Sequence, residues 1–153
     1  MHLSTKGQYA TRALVELAGS YGQGVVKLHH IAERQNIPLK YLEQIMLQLK
    51  RFGFVTSRKG AEGGYMLSRP AREITLGEVV RALEGPLAPI GCVSRTGYAE
   101  CGCPDPAHCG LRSVWQDVRD AIAEILDQTT LQDVYDRAET MRGAQQRYAF
   151  YEI

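Results

Sequence analysis

The feature that most constrains this fold is a change in hydrophobic period at Gly53. Before it, apolar residues recur three times at the spacing of an amphipathic helix. After it, two short apolar runs flank a glycine-rich loop, which is typical of a β-hairpin. Three short helices followed by a hairpin predict a mainly α fold, a winged helix-turn-helix. We expect helices at about 6–20, 28–35 and 38–51, and strands within 54–59 and 64–68.

Capping signals place the starts of these helices. Thr5 with Gln8 three residues later fits a capping box at the first helix. Thr75 with Glu78 fits a second box, which opens a fourth helix. Pro38 suits the first turn of the third helix, because an N–H at that position would have no partner within the helix.

The second half of the chain predicts a loop and two more helices. Residues 86–110 contain glycine and proline without an apolar period, so we expect a loop there. A long helix follows at about 111–127 and a short one at about 130–143. The long helix carries an apolar stripe that could cover the core of its own domain or form an antiparallel dimer helix, and we favour the dimer. The stripe consists of Leu111, Val114, Trp115, Val118, Ile122, Ile125 and Leu126.

Charge is distributed unevenly along the chain. Residues 1–72 carry 11 Lys and Arg against 4 Asp and Glu, a net of +7. Residues 73–153 carry 7 against 13, a net of −6, so the whole chain has a net charge of +1. A basic half that folds as a helix-turn-helix indicates double-stranded DNA as the partner.

The candidate DNA contacts come from the third helix and the hairpin. The N-terminal residues of such a helix face base edges in the major groove, where Gln pairs with adenine and Glu accepts from cytosine. Lys and Arg neutralise phosphates or reach into a minor groove. The predicted base contacts are Lys40, Tyr41, Glu43 and Gln44, and the predicted phosphate or groove contacts are Lys50, Arg51, Arg58 and Lys59.

All four cysteines lie within 18 residues, in the pattern C-x8-C-x-C-x5-C. Thiols clustered in a polar loop indicate metal or redox chemistry. The spacing lacks the paired C-x2–4-C knuckles of structural zinc sites and suits an iron–sulfur cluster better, while a thiol switch is a third alternative. The candidate ligands for the metal or cluster are Cys92, Cys101, Cys103 and Cys109.

Several functional classes find no support in the sequence. No Ser/His/Asp or Cys/His arrangement, carboxylate pair or P-loop stands out, so we do not expect an enzyme. The N-terminus lacks the apolar segment of a signal peptide, and no run of 18 apolar residues occurs. We therefore expect a cytoplasmic protein with no membrane partner.

Four segments carry a resemblance to a known family. Over about residues 1–140, the chain resembles the IscR-type winged-helix transcription regulators, which include iron–sulfur-assembly repressors and nitric-oxide or redox sensors. The agreement runs without gaps through the hairpin. The segments are LSTKGQYATRAL, IAERQNIPLKYLEQIMLQLKRFGFVTSRKGAEGGYML, ITLGEVVRALEG and CGLRSVWQDV.

The resemblance implies a homodimer that binds a pseudo-palindromic operator and responds to the state of an iron–sulfur cluster. It implies base contacts from Tyr41, Glu43 and Gln44, and minor-groove contacts from the hairpin around Lys59. It also implies that three cysteines of the loop hold the cluster. These are Cys92, Cys103 and Cys109.

Some positions depart from the family pattern. Arg112 stands where the IscR branch has a histidine ligand, and Gln8 stands where the nitric-oxide-sensing branch has an acidic ligand. The loop is longer than usual, and Cys101 is an additional cysteine. The fourth ligand therefore stays open between Cys101, His108 and an exchangeable water or small molecule. The cluster type, 2Fe-2S or 4Fe-4S, stays open with it.

These observations predict a division of the chain by role. We expect a DNA-binding domain at 1–85, a cluster-binding loop at 86–110, dimerisation helices at 111–143 and a tail without assigned role at 144–153. The expected protein is a sequence-specific transcription regulator whose operator affinity depends on the cluster. The alternatives are a cluster-free repressor controlled by a thiol switch or a partner protein, and a zinc-stabilised interaction module.

Overall fold

The computed structural model describes residues 2–151, with side chains through residue 144. Within that span the chain forms six α-helices and one two-stranded antiparallel sheet. The expected mainly helical fold with a small hairpin is therefore confirmed. The elements are α1 (Thr5–Ala18), α2 (Leu28–Gln35), α3 (Leu39–Arg51), β1 (Val55–Arg58), β2 (Gly64–Leu67), α4 (Leu76–Glu84), α5 (Gly110–Gln128) and α6 (Leu131–Tyr151).

The first helix is capped by Ser4, and the predicted capping box of Thr5 with Gln8 is wrong. Ser4 has the extended backbone of an N-cap residue, and its Oγ accepts a hydrogen bond of 3.0 Å from the Gly7 amide. The same hydroxyl donates to Glu84 of α4 at 2.5 Å. Ser4 therefore satisfies the end of one helix and joins it to another.

A tight left-handed turn joins α2 to α3. Asn36 ends α2 with a φ of 50°, and its amide donates to carbonyls in the last turn of that helix. Pro38 is the N-cap of α3, so this helix begins one residue later than predicted. The buried stripe of α3 consists of Leu42, Ile45, Met46 and Leu49, at the helical spacing expected from the sequence.

The hairpin of β1 and β2, called the wing below, is anchored to the segment before α2. Val26 forms an antiparallel bridge with Tyr65 of β2, with N···O distances of 2.8 and 2.9 Å. Gly64 permits this approach, because a Cβ there would lie 2.4 Å from the Val26 carbonyl oxygen. The position of the wing is therefore fixed relative to the helix-turn-helix.

One apolar core joins α1 through α4, the wing and the start of α6. Leu131 of α6 is fully buried in this core. Tyr135 packs directly on Gly19 of α1, where a Cβ would lie 2.3 Å from the tyrosine ring. The start of α6 thus packs back onto α1 and the core beneath the helix-turn-helix. The largest fully buried core side chains are Leu14, Leu17, Ile31, Leu42, Ile45, Met46, Leu49, Val55, Ile74, Val79 and Leu131.

The last helix is longer than predicted. We expected a short helix that ends near Gly143, whereas α6 spans 21 residues and reaches Tyr151. One interior glycine weakens a helix by about 1 kcal/mol relative to alanine and does not end it among good helix formers. Side chains after residue 144 lie outside those described, so the 144–153 tail keeps no assigned role. In the described part of the chain, no helix is long and apolar enough to cross a membrane.

The starts of α4 and α6 lie side by side next to the end of α5. The Leu76 amide donates to the Thr129 carbonyl at 2.8 Å, and the Leu131 amide donates to the Ile74 carbonyl at 2.9 Å. Thr129 is the C-cap of α5. The C-terminal end of α5 is therefore tied by backbone hydrogen bonds to the segment that opens α4.

The predicted capping box that opens α4 is confirmed. Thr75 Oγ accepts from the Glu78 amide at 3.2 Å, and the Glu78 carboxylate accepts from the Thr75 amide at 2.9 Å. Thr130 and Asp133 form the same reciprocal arrangement at the start of α6, with distances of 3.1 and 2.8 Å. Each box satisfies orphan amides of a helix start, and together they stabilise the junction of α4, α5 and α6.

Candidate functional site

The outer face of α3 is exposed and carries most of the predicted DNA contacts. Lys40, Glu43 and Gln44 are exposed in its first turns, and Lys50 and Arg51 are exposed in its last turn. All five lie away from the buried stripe, on the face that points to solvent. The first three are therefore placed where a recognition helix presents side chains to base edges.

Tyr41 differs from these residues because it is half-buried. Its ring packs edge to face on Tyr9 of α1, with ring centroids 5.8 Å apart and an interplanar angle of 71°. The Arg12 guanidinium lies 5.4 Å from the centroid of the Tyr9 ring. Tyr41 therefore positions the start of α3 on α1. The sequence does not indicate this pairing, because Tyr9 and Tyr41 lie in different helices.

The wing lies beside the start of α3 and encloses a groove with it. Arg58 and Lys59, both predicted contacts, are exposed. Gly60 follows with a φ of 102°, a conformation that glycine adopts without strain. The groove has a volume of about 420 Å³, and Lys27, Glu43 and Arg58 are among its lining residues. Lys27 is a contact candidate that the sequence did not indicate, because only the fold brings it to this groove.

Lys50 connects the outer face of α3 with the wing. Its Nζ donates a hydrogen bond of 2.6 Å to Ser57 Oγ in β1. An ammonium has three N–H donors, so two are left for a phosphate oxygen. This bond links the two parts of the basic surface, the α3 face and the wing.

The four free cysteines lie in the segment that leads into α5. Cys92 is buried, with 7% of its surface exposed, in a 3-10 turn at Gly91–Val93. Cys101 and Cys109 are half-buried, and Cys103 is exposed. Cys109 is the N-cap of α5, where its Sγ accepts from the Arg112 amide at 3.4 Å. We call residues 92–109 the thiol loop.

Neighbouring thiols shift the pKa values of Cys92, Cys101 and Cys103. The pKa of Cys101 is lowered, chiefly because the backbone amide of Cys103 and then the Cys103 thiol donate hydrogen bonds to its sulfur. Hydrogen bonding and the negative charge of Cys101 raise the pKa of Cys103 to about 11, and Cys109 adds a smaller effect. Burial, followed by the charge of Cys101, raises the pKa of Cys92. Cys101 therefore has both Cys92 and Cys103 as neighbours.

The thiol loop supplies the right donors for a metal group, but its thiols are not gathered around one point. Among the residues that the structure describes, no three His, Cys, Asp or Glu side chains are grouped so as to hold one metal ion. A structural zinc ion and an iron–sulfur cluster both need several thiolates around one centre, so the loop would have to draw its cysteines together to hold either. Thiolates are the usual ligands of iron–sulfur clusters, so the donor type fits a cluster, with Cys101 as an additional donor.

The other residues considered as ligands are occupied in different ways. His108 is exposed, and its Nδ1 lies 2.9 Å from the Asp105 carboxylate. Gln8 donates to the Leu3 carbonyl at 3.1 Å, at the start of its own helix. Arg112 lies at the thiol loop, where its Nε is buried without a hydrogen-bond partner among the described residues. Its positive charge lowers the pKa of Cys92, opposing the effect of burial.

The long helix α5 has two different faces. One face packs on the molecule, where Arg119 donates to the Val93 carbonyl at 2.6 Å and Arg81 of α4 binds Asp127. The other face carries the predicted apolar stripe, and it is exposed: Leu111 and Ile125 each expose 65% of their surface. The remaining members of the stripe are half-buried or exposed. They are Val114, Trp115, Val118, Ile122 and Leu126.

Comparison with known proteins identifies the family. A family model described as "Rrf2: Iron-dependent Transcriptional regulator" matches residues 3–137. The HTH-type transcriptional regulator CymR of Bacillus subtilis (strain 168) is 38% identical over 151 residues, covering 99% of this chain and 99% of that protein. Its structure, titled as that of the global cysteine regulator, has a TM-score of 0.77 at 37% identity and covers 90% of this chain and 98% of that one.

Two further solved structures are similar across most of the chain. IscR of T. potens is 37% identical with a TM-score of 0.72, covering 92% of this chain and 90% of that one. The oxidised form of Staphylococcus aureus CymR is 36% identical with a TM-score of 0.70, covering 88% of this chain and 96% of that one. The winged helix-turn-helix and the matched span together show that this chain belongs to the Rrf2 family of transcriptional regulators.

Proposed function

We propose that the chain is a cytoplasmic, dimeric transcription regulator whose affinity for a pseudo-palindromic operator depends on an iron–sulfur cluster held by the thiol loop. The observation that carries the proposal is the placement of α5. This helix is capped by Cys109 of the thiol loop and exposes an apolar face along its length. It ends in contact with α4 of the winged-helix half, by which we mean α1 to α4 and the wing.

DNA binding is supported by the exposed face of α3 and by the wing. Glu43 and Gln44 provide an acceptor and a bidentate amide for base edges in a major groove. Arg51, Arg58 and Lys59 are exposed cations around them that would neutralise phosphates. Operator affinity should therefore fall steeply as the salt concentration rises.

Dimer formation is supported by the exposed stripe of α5. Ile125 and Leu111 lie at opposite ends of the stripe, so apolar surface extends over the whole helix. Exposed apolar surface of this extent favours a second copy of the chain, because an isologous contact buries the same stripe on both. Pairing along α5 would set the spacing between two α3 helices.

The contacts of α5 connect the thiol loop with the winged-helix half. Cys109 caps the start of the helix, and Arg119 at its middle binds the carbonyl of Val93, next to Cys92. At its end, Asp127 binds Arg81 of α4, and the Thr129 carbonyl accepts from the start of α4. A change in the conformation of the thiol loop would therefore tilt α5, which is bonded to the winged-helix half.

The cluster, when bound, would supply a centre whose oxidation, loss or reaction with nitric oxide changes the loop. Cys92, Cys103 and Cys109 are the proposed ligands, and Cys101 is the proposed fourth. Arg112 would contribute the positive charge and the unpartnered buried N–H beside them. Both would stabilise negative charge on sulfur.

The test is chemical analysis of protein purified without oxygen. Iron, acid-labile sulfide and zinc are measured per chain together with the visible absorption spectrum. Iron matched by sulfide, with charge-transfer bands that the combined substitution of Cys92, Cys103 and Cys109 by alanine abolishes, is the expected result. Zinc alone, or no metal in anaerobic protein, would refute the cluster part of the proposal. Cys101→Ala is the matched variant that tests the fourth ligand.

A thiol switch is the second candidate, and the contact of Cys101 with both Cys92 and Cys103 favours it. Its support includes similarity to CymR, named as a global cysteine regulator and solved also in an oxidised form. Hydrogen peroxide would take two electrons and two protons from two thiols, which yields one disulfide and two water molecules. Mass spectrometry of metal-free protein after peroxide treatment tests this candidate. Four unchanged thiols in protein that still binds DNA would exclude it.

A further inference from the structure

A small charged cleft lies between α4, the segment that leads into the thiol loop, and α5. Its volume is about 160 Å³. None of the predicted DNA contacts and none of the cysteines lines it. The polar and charged lining residues used below are Arg81, Ser94, Arg95, Arg119, Asp120 and Asp127.

Two arginine–aspartate pairs form the sides of this cleft. Arg81 and Asp127 are joined by two hydrogen bonds of 2.5 and 2.9 Å, which also hold the pKa of Asp127 below its usual range. Arg119 binds Asp120 through two hydrogen bonds of 2.8 Å and uses its third nitrogen for the Val93 carbonyl. These bonds fix the sides of the cleft and use two of the roughly four lone pairs of each carboxylate, so both carboxylates can accept a further hydrogen bond.

A third arginine, Arg95, gives the cleft a net positive charge and further hydrogen-bond donors. The Arg95 side chain is 71% exposed, and its Nη2 donates to Asp120 at 2.8 Å. Among the described residues, its Nε and Nη1 have no partner. Three guanidinium groups and two carboxylates leave a net charge of +1 at the cleft.

Ser94 adds a buried donor to the same cleft. Only 8% of its surface is exposed. Its Oγ accepts from the Gly97 amide at 2.9 Å, and in the described residues its own proton has no acceptor. Leaving a buried hydroxyl proton without an acceptor is unfavourable, so a ligand oxygen that receives this proton would be stabilised.

We propose that the cleft binds a free α-amino acid, with the carboxylate on Arg95 and Ser94 and the ammonium on Asp120 and Asp127. Donors and carboxylates face the same small space, which suits a molecule that carries one charge of each sign. A phosphate would meet the two carboxylates as well as the arginines. The volume is about half that of the smallest drug-sized pockets, which limits the ligand to a small metabolite.

The position of the cleft gives such a ligand a route to regulation, which rests on the proposed function. The ligand would contact α4, α5 and the segment next to Cys92 at once. If it binds one orientation of α5 more tightly than another, it shifts the balance between them. Operator affinity would then depend on the amino acid as well as on the thiol loop.

Isothermal titration calorimetry on the full chain tests binding, with each of the twenty protein L-amino acids applied singly. Acetate and methylammonium at matched ionic strength are the single-charge controls. We expect one amino acid or a few related ones to bind, and neither control to bind. Arg95→Gln should weaken binding by at least about tenfold, because it removes charge-assisted hydrogen bonds. Ser94→Ala should weaken it less, and Arg72→Gln, an exposed arginine away from the cleft, should not change it.

Each of three results would refute the proposed site. They are no heat of binding with any amino acid, an affinity for acetate equal to that for the amino acid, and an unchanged affinity of the Arg95→Gln variant for the amino acid. A DNA titration with and without the bound amino acid separates this proposal from the previous one. An amino acid that binds and leaves operator affinity unchanged refutes its regulatory role and leaves the site. Protein that binds the amino acid and no DNA refutes the proposed function and leaves the site as well.

Discussion

The winged-helix half and α5 differ in how completely a single chain covers them. Leu14 of α1 is 0% exposed in a continuous core, whereas Ile125 of α5 is 65% exposed. No residue of α5 is buried, although it is a 19-residue amphipathic helix. Apolar stripes on both helices have the same periodicity, so the pattern alone does not distinguish a core helix from an interface helix. The difference shows that the chain, including the start of α6, covers the core of the winged-helix half and leaves the apolar stripe of α5 largely uncovered.

The largest expected effect separates these two surfaces directly. Leu14→Ala should lower the free energy of unfolding by about 3 kcal/mol, because it leaves a cavity in the core. Ile125→Ala, the matched truncation, should change it little in dilute protein and should instead weaken self-association. Urea unfolding and sedimentation at several protein concentrations measure the two effects. Equal destabilisation by both variants, with unchanged association, would contradict the comparison.

The next prediction concerns the DNA-reading face. Glu43→Ala should change base preference at one operator position by about 1–3 kcal/mol, since it removes an acceptor for base edges. Lys59→Ala should weaken binding to all sequences alike and reduce the salt slope by about 1. Titration of a library of operator variants measures both. Glu124→Ala on α5 is the control for loss of a carboxylate. A uniform loss of affinity by Glu43→Ala would show that its role in base reading is wrong.

The contact between α4 and α5 can be tested by substituting Gly77 of α4, with Gly143 of α6 as the control. A Cβ at Gly77 would lie 1.8 Å from Asp127 Oδ1, so Gly77→Ala must displace the partner of Arg81. We expect a loss of about 1 kcal/mol, since the pair is partly exposed. Gly143→Ala meets nothing within 4 Å and should stabilise α6 by up to about 1 kcal/mol. Thermal unfolding measures both, and destabilisation by Gly143→Ala would contradict the open surroundings described here.

The smallest effect is a pH dependence at the start of α6. Hydrogen bonds from the Thr130 amide and hydroxyl lower the pKa of Asp133. Because the folded pKa is below the unfolded value near 3.9, this stabilisation is present above about pH 4 and is lost as pH falls through the folded pKa. Asp133→Asn should therefore be less stable than the parent at pH 7, by less than about 1 kcal/mol, and equally stable at low pH. A difference that persists unchanged to pH 2 would contradict this cause.

Local signals in the sequence predicted the elements well where the decisive contacts are local. Thr75 with Glu78 marks the start of α4, because both partners of that capping box are three residues apart. The Ser4 cap was missed, since the choice between Ser4 and Thr5 depends on Glu84, which only the fold brings near. The length of α6 was missed because Gly143 was given too much weight as a helix breaker.

The candidate site divides in the same way. Exposed Glu43 and Gln44 follow from the periodicity of α3, whereas the half-burial of Tyr41 depends on Tyr9 in another helix. The cysteine spacing indicated shared chemistry and could not show that Cys101 has both Cys92 and Cys103 as neighbours. The cleft at Arg95 had no sequence signal, because its residues come from three separate segments.

The length of α5 has a consequence for how small a signal can be. Its 19 residues make a rod of about 28 Å, with Cys109 at one end and the α4 junction at the other. If the junction acts as a pivot, a shift of about 1 Å at the thiol end turns the rod by only about 2°. Such a rotation hardly disturbs the core of either winged half. If two α5 helices pair along their stripes, however, the same rotation changes the angle between two whole domains. Operator affinity would then depend on that angle.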